Sequence, residues 1–260
     1  MGRAAALLAL LAALVGWYEA APHLGPLSTW HAIVLISVAI MPACLLLVWL
    51  ALPLRRQRFL LPAGIACVGL AALLALARFP VGSNFAKLAA LTLLGWWFLC
   101  FFEAVSWVVL VALLIPWVDA YSVWRGPTKT LTSKAHEHVF EALSVAFVVP
   151  GGGAARLGLP DVLFFAVFLG ASARFRLRPG WTFAAMLAGL ALTMVLATAW
   201  DVGGLPALPA ISLGFLVPNA DLLRRRLRAA RAGGGLLDEE GDRLDVRGVR
   251  EHVDGDRPDE

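Results

Sequence analysis

The feature that most limits what this chain can become is a series of apolar runs, each long enough to cross a lipid bilayer. About twenty apolar residues span the roughly 30 Å hydrocarbon core. The run "VSWVVLVALLIPWVDAYSVW", residues 105–124, is one of several. Together they read as about eight spanning helices, near 4–20, 30–53, 59–78, 86–102, 104–124, 157–173, 180–200 and 205–221. A transmembrane barrel is disfavoured, because barrel strands alternate apolar and polar residues and these runs do not. Composition agrees: 60% of the 260 residues are hydrophobic and only 15% are charged, against about a quarter charged in a soluble domain. The expected fold class is all-α, a polytopic transmembrane helical bundle in direct contact with the lipid bilayer. Only Glu103 separates the fourth and fifth runs, which predicts a tight turn there; one long bent helix is the competing reading. The first run follows Arg3 and also has the make-up of a cleavable signal peptide.

The charges sit at the ends of these runs. Net charge is +4, and the basic residues cluster in "RRQR" (Arg55 to Arg58), "RFRLR" (Arg174 to Arg178) and "RRRLRAAR" (Arg224 to Arg231). Such clusters anchor helix ends among lipid headgroups, so no nucleic-acid partner is expected. Placing all three on the cytoplasmic side, as short-loop Lys/Arg bias requires, makes the C-terminus cytoplasmic. With eight crossings the N-terminus shares that side. The 125–156 loop then lies outside, although it carries Arg125, Lys129, Lys134 and Arg156. That loop is polar, then partly apolar, then flexible at "GGGAAR", and a short or re-entrant helix fits within it. Three regions follow: N-terminal transmembrane helices over 1–103, a second transmembrane region over 104–223 containing the polar loop, and a basic anchor with a disordered acidic tail over 224–260. Cys44, Cys67 and Cys100 all fall inside apolar runs and read as small buried hydrophobes.

One residue does not belong. Asp119 lies inside the fifth run, where a carboxylate at a helix centre costs about 2.5–3.5 kcal/mol. An ionisable residue at membrane depth marks a functional site by default, provided a partner can be named. Asp119 falls about five residues before its segment ends, roughly 8 Å below the surface at 1.5 Å rise per residue. Asp161 falls a few residues into the next segment, "LGLPDVLFFAVFLG". Consecutive spans run antiparallel, so both carboxylates lie at the same membrane face and at similar depth. Two facing carboxylates share one proton. The ionised member takes a proton from water and the protonated member donates to a carbonyl oxygen, which is general acid and general base together. The structural alternative is also open. Asp161 follows Pro160 and suits the first turn of a helix, and Asp119 can face a water cavity or pair with Arg125.

A third polar break lies in "LPALP", Leu205 to Pro209. Pro206 and Pro209 bracket two residues at the start of the last run, where proline interrupts helical hydrogen bonding. Broken backbone at membrane depth persists only against protein or water, and it can pair with an extended strand. The alternative is a helix start with proline in its first turn. Other constellations fall away. His136-Glu137-His138 lacks the H-E-x-x-H zinc-peptidase spacing, so no metal site is expected. "PGGGAAR" lacks the Gly-Lys-Ser/Thr ending of a phosphate loop, and no cofactor is expected.

The letters around these breaks carry a resemblance. "VDAYSVW" resembles the segment around the first catalytic aspartate of presenilin and signal peptide peptidase type intramembrane aspartyl proteases, nearest to the archaeal and bacterial members. "LGLPD" resembles the family's Gly-x-Gly-Asp motif, and "LPALP" is similar to its Pro-Ala-Leu motif. All three occur in the family's order, and the likeness covers roughly residues 104–221. It implies Asp119 and Asp161 as the catalytic pair of an aspartic endopeptidase. It implies Gly158, Leu159, Pro160, Pro206, Ala207 and Leu208 as substrate-binding residues. The implied substrates are transmembrane segments of other membrane proteins, and the implied location is a prokaryotic plasma membrane. Two departures stand out: Val118 where the family usually has tyrosine, and Pro160 where it has glycine. The family also usually has nine spans. From another class, the same two carboxylates suit the relay of a small proton-coupled transporter, and a family member without activity would serve as a binding scaffold.

Overall fold

The computed structural model describes residues 2–125, 142–200 and 205–228. The chain forms two compact units, Met1–Asn219 and Ala220–Glu260. In the first unit the helices are α1 (Gly2–Ala20), α2 (Thr29–Leu35), α3 (Met41–Ala51), α4 (Leu60–Leu76), α5 (Pro80–Phe98), α6 (Val105–Arg125), α7 (Leu159–Arg174) and α8 (Pro179–Ala199). A further helix, α9, begins at residue 208 and is the last among the described residues. The described part of the second unit, 220–228, is helical. The six "RRRLRA" residues 224–229 and the acidic tail belong to that unit, and the tail lies outside the described residues.

Five of these helical stretches are long and apolar enough to cross a membrane: Gly2–His23, Thr29–Arg56, Pro80–Phe101, Val105–Ser122 and Pro179–Ala199. Leu60–Leu76 is apolar but shorter. The 28-residue stretch from Thr29 to Arg56 contains a π-helical turn, Ile36–Ile40. Its cause is local. Pro42 has no N–H and its ring crowds the preceding turn, so the ladder widens just ahead of it, and Met41 N–H bonds to Ile36 O. The helix is interrupted over residues 102–104, as a turn at Glu103 requires.

The core is built around α7. Its residues from Phe165 to Ser172 are all buried, on every side of the helix, as a helix apolar all round should be. Small residues let its neighbours approach. A Cβ on Gly95 of α5 would come within 2.9 Å of Leu163 O, and Trp96 Nε1 donates to Ala166 O at 3.1 Å. On another side Phe168 stacks on Phe215 of α9, with ring centroids 5.1 Å apart.

Two expectations change here. The fold is not purely helical, because residues expected as a loop with a short helix form a β-hairpin. Strand β1 (Ser144–Val148) pairs antiparallel with β2 (Ala154–Gly158), with Ala146 opposite Arg156. The sixth predicted span accordingly starts two residues late, at Leu159, because Leu157 and Gly158 belong to β2. The turn rests on Gly151 and Gly152, at φ +84° and +82°, a region that glycine enters without steric cost.

A lone hairpin is marginal in water and worse at membrane depth, so its outer edge must be satisfied. Here α1 and α5 do this. Asn84 accepts the Ala146 N–H at 2.7 Å and donates to Ala146 O at 3.0 Å. Tyr18 Oη donates to the same carbonyl at 2.6 Å, and Trp17 Nε1 donates to Val148 O at 3.1 Å. Lys87 Nζ donates to Ser144 O at 3.3 Å.

Candidate active site

Asp119 stands at the end of a stripe. Along α6 the buried residues are Val105, Val108 and Ala112, and continuing at helical spacing reaches half-buried Asp119. Its neighbours Trp117, Val118 and Tyr121 point outward, with Val118 67% exposed. The polar side chain is therefore on the packed face and the large apolar ones are on the outer face. Pro116, inside the helix one turn earlier, removes a backbone hydrogen bond just before the carboxylate.

The partner of Asp119 in the structure is backbone. Its Oδ2 accepts the Leu208 N–H at 3.0 Å, and the Ala207 N–H reaches the same carboxylate. These are orphan donors at the N-terminus of α9, which a carboxylate satisfies both as acceptor and as charge. Pro206 precedes this turn and Pro209 sits inside it, where a missing N–H costs nothing. Leu208 itself is buried, while Pro206 and Ala207 are half-buried.

Asp161 is arranged in the same way on its own helix. It lies at the third position of α7, and its Oδ2 accepts the Gly158 N–H at 3.1 Å. Gly158 ends β2 and caps α7 in extended conformation, at φ −60° and ψ 150°. A Cβ there would lie 3.0 Å from Asp161 Oδ2, so a side chain would press on the carboxylate. Leu159 donates its N–H to Leu143 O, which ties the helix start to the residue that precedes β1. Pro160, in the first turn of α7, is exposed.

The carboxylates of Asp119 and Asp161 are within electrostatic range of each other. The structure thus places Gly158 on Asp161, and Ala207 and Leu208 on Asp119. Arg125's side chain and His136 to His138 lie outside what is described. Among the described residues, no group of three or more His, Cys, Asp or Glu side chains is placed to hold a metal. A cavity of about 700 Å³ lies against the hairpin, lined by Tyr18, Asn84, Lys87, Ala146 and Arg156 among others, and neither aspartate lines it. Sequence reasoning missed Tyr18 and Asn84, which fasten the hairpin that leads into Asp161. The available signal was Asn84 and Lys87, three residues apart and so on one helix face, in the apolar run that contains "SNFAKLAAL".

No protein-family model matches the chain, and no curated protein matches it.

Proposed function

We propose that the protein is an intramembrane aspartyl protease of the presenilin and signal peptide peptidase type, with about eight spans and a cytoplasmic C-terminus. It hydrolyses peptide bonds within transmembrane segments of other membrane proteins. The observation that carries this reading is the pair itself. The carboxylates of Asp119 on α6 and Asp161 on α7 lie within electrostatic range, each steadied by a backbone N–H at a helix start. Neither has a basic side chain bonded to it among the described residues, as a purely structural ion pair would require.

The chemistry follows from one shared proton. The ionised aspartate takes a proton from water as that water attacks the scissile carbonyl carbon. The protonated aspartate donates to the carbonyl oxygen. The resulting tetrahedral diol collapses as a proton passes to the leaving nitrogen. A helical substrate hides its carbonyls in its own hydrogen bonds and must unwind locally. β2 supports that step: no third strand pairs with it among the described residues, and its last residue, Gly158, is bonded to Asp161. An extended substrate added to that edge arrives at the carboxylates.

The two departures from the family pattern fall on tolerant positions. Val118 points away from the packed face, and Pro160 occupies a first-turn position whose N–H would be unpaired anyway. The deciding experiment incubates purified protein in liposomes with a reporter transmembrane peptide and identifies products by mass. Wild type yields two fragments from within the hydrophobic segment, and Asp119→Asn and Asp161→Asn each yield none. Intact peptide with proton-linked solute uptake would identify a carrier instead. Neither activity, with peptide retained, would identify a scaffold.

A further inference from the structure

A second charged site lies at the opposite end of α7. Thirteen residues separate Asp161 from Arg174, roughly 20 Å along a helix. There the "RRQR" turn between α3 and α4 meets the ends of α5 and α7 around a cavity of about 580 Å³. Arg55, Arg56, Arg58 and Arg174 line it, and no acidic residue does. Trp96, Trp97 and Leu99 form its apolar wall.

Two of the arginines have structural work. Arg55 donates to Leu52 O at 3.2 Å and to Ala173 O at 3.3 Å, and Arg174 donates to Leu99 O. These carbonyls are at helix ends, where cations are favoured. Arg56 and Arg58 are exposed and have no hydrogen bond or carboxylate partner among the described residues. Arg56 is nevertheless within electrostatic range of Arg55. Four like charges around one cavity repel unless an anion joins them. The 700 Å³ cavity near the hairpin differs, because Glu19 lies among its cations.

We propose that this arginine cavity binds the phosphate group of an anionic phospholipid. A guanidinium fork matches phosphate oxygens two at a time. The cavity opens at the ends of the apolar stretches Thr29–Arg56 and Pro80–Phe101; where these cross a bilayer their ends meet the headgroups, and basic pockets there take phosphate headgroups. Indole rings are at home at that depth, and the apolar wall gives acyl chains a surface that a free phosphate would not use. The site is independent of the two aspartates and stands whether or not they are catalytic.

The test uses the full chain, extracted in mild detergent and exchanged into mixed micelles of phosphatidylglycerol and phosphatidylcholine. Bound lipid is counted by native mass spectrometry. Wild type retains phosphatidylglycerol in preference to phosphatidylcholine. A basic residue beside an anionic headgroup is worth roughly fivefold, so Arg56→Gln/Arg58→Gln loses roughly 25-fold. Arg56→Lys/Arg58→Lys keeps the charge but not the fork and recovers only part of the binding. Arg224→Gln/Arg225→Gln removes the same charge from another cluster and leaves retention unchanged. Equal loss in that control would overturn the proposal in favour of a diffuse surface field. Calorimetry with inorganic phosphate is the other arm: tight phosphate binding without lipid preference would overturn it in favour of a soluble anion. Absence of both kinds of binding would overturn it outright.

Discussion

The carboxylate of Asp119 accepts the backbone N–H of Leu208 at 3.0 Å, across 89 residues of sequence. One acidic side chain thereby fixes where α6 ends relative to where α9 begins. The contact does two kinds of work, and substitutions can separate them. In Asp119→Asn the amide oxygen still accepts the Leu208 N–H, so the fold persists while proton transfer is lost. In Asp119→Ala the cap is lost as well, at a cost of about 1 kcal/mol. The expected outcome is no detectable peptide cleavage in either variant, with a lowered unfolding midpoint only in the alanine variant. Residual turnover in Asp119→Asn would remove this residue from the proposed mechanism.

Activity should depend on pH in a bell shape. The productive pair holds one proton. Raising the pH removes it and ends donation to the carbonyl; lowering the pH adds a second and removes the base. Measuring kcat/KM for a reporter peptide across the range in which the fold is intact checks this. A flat profile would argue against a shared proton.

Gly158→Ala places a methyl group 3.0 Å from Asp161 Oδ2. The backbone there is extended and accepts alanine, so stability should change by well under the ~1 kcal/mol of an ordinary substitution. The carboxylate must give by a few tenths of an ångström, so kcat should fall by less than the about 10²-fold associated with a misplacement near 1 Å. Full activity in this variant would show that the Gly158–Asp161 spacing is not critical.

Asn84→Ala cuts both bonds to Ala146, where Asn84 is only 7% exposed. Two hydrogen bonds and a buried strand edge left open suggest a loss of about 2 kcal/mol or more. Chemical denaturation reads that loss. Hydrogen exchange should report faster exchange at Ala146 than in the buried core of α7.

Gly214 allows α9 to approach α8 closely: a Cβ there would lie 2.6 Å from Met186 N and 2.7 Å from Met186 Cα. Backbone atoms cannot step aside as a side-chain tip can. Gly214→Ala should therefore destabilise the protein by about 1–3 kcal/mol, as overpacking does. An unchanged midpoint would mean that these helices separate at little cost.

The helices were legible because apolar runs of this length have few alternatives, and all eight predicted runs contain helix in the structure. Depth alone suggested that Asp119 and Asp161 lie near one membrane face, since the end of one span and the start of the next share it; the structure shows the two within electrostatic range. The hairpin was not. "SVAFVV" is rich in β-branched residues and is followed by glycines, but its strand state depends on Asn84, Tyr18 and Trp17 reaching it from 62 to 131 residues away. Local propensity cannot register partners at that distance. The donors of Leu208 and Ala207 were hidden for a related reason: the letters "LPALP" mark broken backbone without saying which carboxylate receives its N–H groups.

The double clasp of Asn84 on Ala146 also sets a metric. Only alternate residues of β1 turn both backbone groups toward α5, so the strand cannot shift by one position without forfeiting both bonds. β2 is pinned through Ala146 and Arg156. Any chain lying along β2 is graduated from a fixed origin beside Asp161, and it advances in steps of two residues, about 7 Å each.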